Sequence, residues 1–159
     1  MIVRVGDHAM CLRRAEPDKS IKYTFAVNQL LPLHAGAGQR VLLAWAPAAT
    51  IARVLDDDLQ RFTPATPSAR DLRRMIPEIR ESGSAVSRGE LDAGSVSVAV
   101  PVFFNGEVVC SLNIAGPDAR CDKRWVAETI GHLQAAARLL TESLDSWFAV
   151  SPQKRNAHA

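Results

Sequence analysis

The sequence predicts an α+β fold in which one antiparallel sheet is covered by helices. Three features carry this prediction: short apolar runs near the N-terminus, a long hairpin within Ser95–Pro117, and a long amphipathic segment that follows Asp122. Two or three helical segments lie between the first strands and the hairpin. A crossover of this kind leaves room for a pocket between helices and sheet, where small-molecule sites commonly form.

The composition indicates one globular domain with no marked surface charge. A chain of 159 residues can bury a core without disulfides or metals. Its 19 basic and 17 acidic residues give a formal net charge of +2, and the basic pairs are scattered rather than gathered in a stripe that would bind nucleic acid. Three cysteines without CxxC spacing favour a reducing, cytoplasmic location. No apolar run is long enough to cross a bilayer, and the N-terminus lacks the form of a signal peptide, so no membrane partner is expected.

The first quarter of the chain predicts short strands. One strand starts at Ile2, and two more are expected at Met10–Leu12 and Tyr23–Val27. Leu30–Leu33 is predicted to be a buried connection. It leads into His34–Gly38, where small residues let the backbone approach a neighbour closely.

Helical spacing then predicts a helix over Gln39–Trp45 and another over Thr50–Phe62. A third helix is expected to begin after Ser68 as its N-cap, with Asp71 in the first turn. Pro77 lies inside the apolar pattern of that helix and is predicted to kink or shorten it.

The hairpin is the most informative stretch. Asn105-Gly106 supplies the positive φ angles of a type I′ turn. Ser97, Ser111 and Asn113 interrupt otherwise apolar strands, and Ser97 and Asn113 are expected to share one face. Buried polar groups in a sheet either pair with each other or with water, or face something that binds there.

The closing helix is predicted over Lys123–Phe148, with Asp122 as its cap. Its apolar stripe is longer than one sheet can cover, so an oligomer surface could bury the surplus. Residues 151–159 are polar, and a disordered tail is expected there.

Two blocks of the sequence resemble a known family. Pro32–Ala44 is similar to the Pro-Leu-His-Ala-x-Ala-x-Gly-Lys-Ala-Leu-Leu-Ala motif of the IclR-type effector-binding domain. Gly83–Phe103 and Ser111–Arg120 resemble the family's next block, in the right order and at matching separation. Gln39 and Arg40 stand where Gly-Lys is usual. The resemblance implies a GAF/PAS-like antiparallel sheet flanked by helices.

The family consists of bacterial transcriptional regulators, and this sets further expectations. Residues 1–150 would form an effector-binding domain that senses a small organic molecule, often a carboxylic acid, and helps to form homodimers or tetramers. DNA would be contacted only through an N-terminal winged helix-turn-helix domain, which this sequence does not contain. The resemblance implies no enzymatic activity and no cofactor.

The resemblance also implies a set of effector-binding residues. An apolar wall, the N–H groups at a helix start and polar positions on the sheet would surround the ligand, with the helix start holding an anionic group. These residues are Tyr23 and Leu31 for the wall, Ala37 and Gly38 for the helix start, and Ser87, Ser97, Asn113 and Ala115 for the sheet.

Other interpretations remain open at this point. The chain could be a GAF/PAS-like signalling module that is not linked to transcription, a dimerisation module, or an enzyme that uses His34 or a cysteine. No nucleophile elbow, second base or metal-ligand spacing supports an enzyme. On residue type alone, His34 is expected to bond a backbone carbonyl, Tyr23 to pack in the core, and Glu90 to be solvated or to act as a cap.

Overall fold

A computed structural model describes residues 1–16 and 25–150 of the chain. Over these residues the chain forms a six-stranded antiparallel sheet, four α-helices and a short 3₁₀ turn, so the predicted α+β fold is confirmed. The strands are β1 (Ile2–Val5), β2 (His8–Cys11), β3 (Leu30–Pro32), β4 (Ala85–Arg88), β5 (Ser95–Phe104) and β6 (Glu107–Pro117). The helices are α1 (Ala37–Ala44), α2 (Ala48–Asp56), α3 (Ala69–Ser82) and α4 (Lys123–Val150).

The sheet order is β3-β2-β1-β6-β5-β4, and the β5–β6 hairpin is its longest pairing. Asn105 and Gly106 both have positive φ, at 50° and 79°, which is what the type I′ turn requires. The register of the hairpin shifts between Val102 and Phe103, where a bulge changes which face the following side chains meet.

The two faces of the sheet carry separate cores because successive side chains of a strand point to opposite sides. One face, with Ile2 and Ala99, packs against the segment that contains α1, α2 and α3. The other face, with Val98 and Val100, packs against α4 through Leu133 and other apolar residues. The first face contains the polar strand positions and therefore the candidate site.

Helix α3 begins as predicted, but it contains Pro77 without being interrupted there. Ser68 and Asp71 form a capping box, and Gly83 ends the helix in the left-handed conformation at φ 64°. The helix continues through Pro77 for all 14 residues, so of the two predicted effects, a kink or a shorter helix, the shortening is wrong. Its buried side chains, which include Ile76, hold the helix on the core and offset the hydrogen bond that proline removes.

Several element boundaries differ from the sequence prediction. Leu30–Pro32 is not a plain connection but an edge strand paired with β2, a place where the missing N–H of a proline is tolerated. Helix α1 begins two residues earlier than expected, and α2 ends at Asp56 instead of Phe62. Of the strand expected at Tyr23–Val27, residues 23 and 24 lie outside the described residues and 25–27 form no strand.

The closing helix extends to Val150, and Asp122 caps it by accepting a hydrogen bond from the N–H of Trp125 at 2.8 Å. Residues 151–159 lie outside the described part of the chain, so the predicted tail stays a prediction. Within the described ranges, no helix combines the length and the apolar character needed to span a membrane.

Candidate functional site

A cleft of about 890 Å³ lies between the start of α1 and the end of the sheet formed by β4, β5 and β6. Its volume falls within the roughly 300–1,000 Å³ typical of small-molecule sites. Residues from β1, β2 and the loops around Gln29 and Asp92 also line it. The floor of the cleft consists of Ser87, Ser97, Asn113 and Ala115.

Strand register brings the floor residues together. Ser97 pairs with Ser87 on one side and with Ala115 on the other, so these three form one row across β4, β5 and β6. Asn113 pairs with Ala99 in the next row on the same face. Directly paired residues share a face of the sheet, which is why the period-2 pattern of the sequence could place Ser97 and Asn113 together.

Three of the other four predicted site residues are described, and none of the three lines the cleft. Leu31 packs in the core on β3 and is 4% exposed. Ala37 begins α1, and its N–H points at Ser97 Oγ over 3.4 Å, a long and weak hydrogen bond. Gly38 packs directly on the sheet, because a Cβ there would lie 3.0 Å from Ile2 Cδ1. Tyr23 lies outside the described residues.

The N-terminus of α1 faces the carboxylate of Glu90. Glu90 Oε2 accepts a hydrogen bond from the N–H of Gly36, the N-cap residue of α1, at 2.8 Å. Arg40 donates to both oxygens of the same carboxylate, at 3.0 and 2.7 Å, and both side chains are buried. The expectation that Glu90 could be a cap is confirmed, and the alternative that it is solvated is wrong. Burial of this acid requires Arg40 as its counter-charge.

The loop that carries Glu90 is held by hydroxyl groups. Thr63 Oγ1 donates to the carbonyl of Gly89 at 2.6 Å, and Thr66 Oγ1 donates to the carbonyl of Glu90 at 2.7 Å. The loop thereby fixes the carboxylate against the start of α1. Sequence reasoning missed this arrangement because Arg40 and Glu90 are 50 positions apart and nothing local links them.

Three buried polar atoms near the cleft have no hydrogen-bond partner among the described residues. They are Gln39 Nε2, Ser111 Oγ and Asn113 Oδ1. A buried polar group without a partner costs about 1–3 kcal/mol, so native proteins rarely keep several together. Gln39 and Asn113 both line the cleft, where a bound molecule would reach them. Ser111 and Asn113 were visible in the sequence as polar interruptions, whereas Gln39 was noted only as a departure from the motif.

The charged residues that line the described part of the cleft are mainly basic. Arg13, Arg14 and Arg120 contribute positive charge, and Asp92 is the acidic residue beside them. Arg14 also holds the cleft wall, since it donates to the carbonyl of Phe25 at 2.9 Å and pairs with a neighbouring carboxylate. This excess of basic over acidic side chains in the cleft lining favours an anionic or acidic ligand.

The groups that would suggest catalysis have structural roles. His34 Nε2 lies 2.9 Å from the carbonyl oxygen of Gln60, and the imidazole stacks on Phe62, as expected for a histidine that bonds the backbone. The three cysteines are free and buried, and burial raises the pKa of the Cys110 and Cys121 thiols, which disfavours the nucleophilic thiolate. In the ranges that the structure describes, no group of three or more His, Cys, Asp or Glu residues could hold a metal ion.

Comparison with known proteins identifies the class of this domain. Residues 1–142 match the family described as bacterial transcriptional regulator IclR C-terminal. The chain belongs to this family. It is 32% identical over 121 residues to the HTH-type transcriptional regulator XynR of Escherichia coli K12, a match that covers 74% of this chain and 48% of XynR. The chain therefore spans about half the length of the curated relatives it matches.

Solved structures share the fold over nearly the whole chain. The crystal structure of a protein assigned as a transcriptional regulator from Rhodococcus sp. RHA1 has a TM-score of 0.86 at 27% identity and covers 91% of this chain and 61% of its own. An IclR homolog from Microbacterium hydrocarbonoxydans, solved in complex with 4-hydroxybenzoate, has a TM-score of 0.83 at 25% identity, with coverage of 91% and 59%. The GAF-like fold expected from the resemblance is thus confirmed.

Proposed function

We propose that this chain is a ligand-sensing domain that binds a small organic acid in the cleft beneath α1. The observation that supports this most is a pair of buried amide atoms, Gln39 Nε2 and Asn113 Oδ1, which have no partner among the described residues. Both residues line a cleft of ligand size. Polar groups that a protein buries without partners are explained when a ligand supplies the missing hydrogen bonds. Ser87, Ser97 and Ala115 complete the proposed contact surface on the sheet.

An acidic ligand is favoured by the charge of the cleft lining. The arginines of the cleft lining would attract an anion. The complex of the Microbacterium homolog with 4-hydroxybenzoate, an aromatic carboxylic acid, is consistent with this ligand class.

The proposed output is regulation of transcription through quaternary structure. In this proposal the domain forms a homodimer or tetramer in the bacterial cytoplasm, and the effector binds two subunit arrangements with different affinity. That difference would move DNA-binding domains located N-terminal to the segment matched here. The domain would bind its effector without chemical conversion, as suits a family of regulators.

A thermal-shift panel of small mono- and dicarboxylates, aromatic acids included, tests the proposal. A ligand that binds only the folded state stabilises it by about 2.7 kcal/mol when present at 100 times its dissociation constant. We expect at least one acid to raise the melting temperature, and we expect Ser97→Ala and Asn113→Ala to reduce the shift. Ser143→Ala on α4 is the matched control and should leave the shift unchanged. If no acid raises the melting temperature, the proposed function is wrong.

A further inference from the structure

The Gln39 side chain lies in the space that a Cβ on Gly36 would fill. The side chain is 1% exposed and folds back against Gly36, where an added Cβ would lie 2.6 Å from Gln39 Oε1. Gly36 has a φ of 93°, a conformation that residues with a Cβ rarely adopt. The bare backbone at Gly36 therefore allows a full-length glutamine to lie at the head of the cleft.

A second buried amide atom without a partner among the described residues, Asn113 Oδ1, belongs to a residue near the same helix start. Asn113 rises from the floor next to the same turn of α1, since a Cβ on Gly38 would lie 3.5 Å from Asn113 Cβ. Gln39 Nε2 can donate a hydrogen bond and Asn113 Oδ1 can accept one, and both atoms are buried without a partner among the described residues. Together they offer a donor and an acceptor, both uncharged, to a molecule in the cleft.

The charges near Gln39 and Asn113 indicate that these amides bind the uncharged end of a ligand and not its carboxylate. The Glu90 carboxylate lies against the N–H of Gly36 at the same helix start, and its charge is matched by Arg40 within the protein. A ligand carboxylate would avoid a second carboxylate in a buried place, and it would leave Asn113 Oδ1 facing an acceptor. Arg13 and Arg120 line the same cleft and suit the acidic end better.

We propose that Gln39 is a specificity-determining residue and that, with Asn113, it selects acids whose uncharged end carries a hydroxyl or a primary carboxamide. Such groups accept from Gln39 Nε2 and donate to Asn113 Oδ1 at once. A methyl group of the same size would leave both amides unpaired, and buried polar groups of this kind discriminate strongly against analogues that lack the partner. This inference rests on the proposed function, because it assumes that an acid enters this cleft.

Two matched pairs of probes test the inference on the purified chain by isothermal titration calorimetry. 4-Hydroxybenzoate is compared with 4-methylbenzoate, and succinamate is compared with 4-methylpentanoate, in which an isopropyl group replaces the carboxamide and offers neither acceptor nor donor. We expect the polar member of at least one pair to bind about tenfold more tightly or better. Gln39→Met keeps the side-chain length without hydrogen bonds and should bring that ratio within about threefold.

Gln134→Met is the matched control, because Gln134 lies on α4, which packs on the other face of the sheet. It should leave the ratio as in the wild type. Melting curves without ligand report whether each variant is folded, and Gln39→Ala, which suits a helix, replaces Gln39→Met if that variant does not fold. Acids that bind with no preference within either pair, or a preference that survives loss of the Gln39 amide, would overturn this inference and leave acid sensing intact. If none of the probes and no other acid binds, both proposals fail.

Discussion

The backbone at Gly36 is under two independent constraints. Its φ of 93° and ψ of 148° lie in a region that is almost confined to glycine, and the Gln39 side chain occupies the place of a Cβ. Conformation and packing would therefore both oppose any substitution. The same residue gives its N–H to Glu90, so a change at Gly36 also disturbs the start of α1.

Gly36→Ala should lower the free energy of unfolding by about 1–3 kcal/mol or more, from backbone strain plus the clash with Gln39. Gly6→Ala is the control, since Gly6 has a φ of 60° but nothing within 4 Å of an added Cβ. It should cost about 1 kcal/mol. Urea unfolding measures both. In a Gln39→Ala background the cost of Gly36→Ala should fall but not vanish, and an unchanged cost would mean that the clash contributes nothing.

The Arg40–Glu90 pair is the second single-residue feature with a large expected effect. Glu90→Gln leaves the guanidinium of Arg40 buried without its counter-charge, which typically costs about 3–5 kcal/mol. Glu128→Gln removes the acid of an exposed pair with Arg124 and should cost less than about 1 kcal/mol. Chemical denaturation of both variants makes the comparison. Similar small losses for the two would show that the buried pair is not needed for stability.

Among the elements, α3 has the most clearly defined start. Ser68 Oγ accepts from the N–H of Asp71 at 3.2 Å, and Asp71 Oδ2 accepts from the N–H of Ser68 at 3.0 Å. Hydrogen bonds from Ser68 lower the pKa of the Asp71 carboxyl below its ordinary value near 3.8. A folded-state pKa below the unfolded value stabilises the protein above that unfolded value. The stabilisation is lost as the pH falls through the folded pKa.

Ser68→Ala removes the hydroxyl that caps α3 and should lower the free energy of unfolding by about 1 kcal/mol at neutral pH, as is typical for the loss of an N-cap. It should also make the loss of stability on acidification below about pH 4 shallower, because the pKa of Asp71 returns towards its unfolded value. Urea denaturation at a series of pH values measures both effects. Ser143→Ala, in the interior of α4, is the control and should change neither quantity. A pH dependence identical to wild type in Ser68→Ala would contradict the role given to the capping box.

Elements with local signals could be predicted from the sequence, and those set by tertiary contacts could not. The Asn105-Gly106 turn and the Ser68 cap depend on residues within a few positions, and both were predicted correctly. The edge strand at Leu30–Pro32 exists because β2 pairs with it, and the helix through Pro77 persists because the core holds it. Both outcomes depend on partners that are remote in sequence.

At the scale of the whole molecule, the sheet carries the cleft on one face and most of its contacts with α4 on the other, although Trp125 of α4 also lines the cleft. The face that carries Ser97 and Asn113 borders the cleft, whereas α4 covers the opposite face. The period-2 pattern was enough to predict which strand positions share the cleft face. It could not show that Glu90 caps α1 or that Gln39 Nε2 is buried without a partner among the described residues, because both depend on how loops and helices meet. The set of residues that bind the effector stays a prediction.

The second half of α4 is the surface best suited to the proposed oligomer. Leu133 and Ala137 face the sheet and are buried, whereas Leu139 and Leu140 are 64% and 39% exposed. Leu140 belongs to the apolar stripe that the sequence predicted to be longer than one sheet can cover, and Leu139 lies next to it. Exposed leucines clustered on one helix are typical of surfaces that bury against a partner.

The prediction that follows concerns association of the purified chain. Sedimentation velocity should show concentration-dependent dimers or tetramers, and the double variant Leu139→Glu and Leu140→Glu should raise the dissociation constant by about tenfold or more, because buried interfaces exclude unpaired charges. Val5→Glu is the control, since it introduces a glutamate at an apolar β1 residue that is 46% exposed. If association survives in the α4 variant but is lost in Val5→Glu, the interface includes β1 and not the second half of α4. A chain that stays monomeric at every concentration would refute self-association through this domain, and effector binding would then have to act within one subunit.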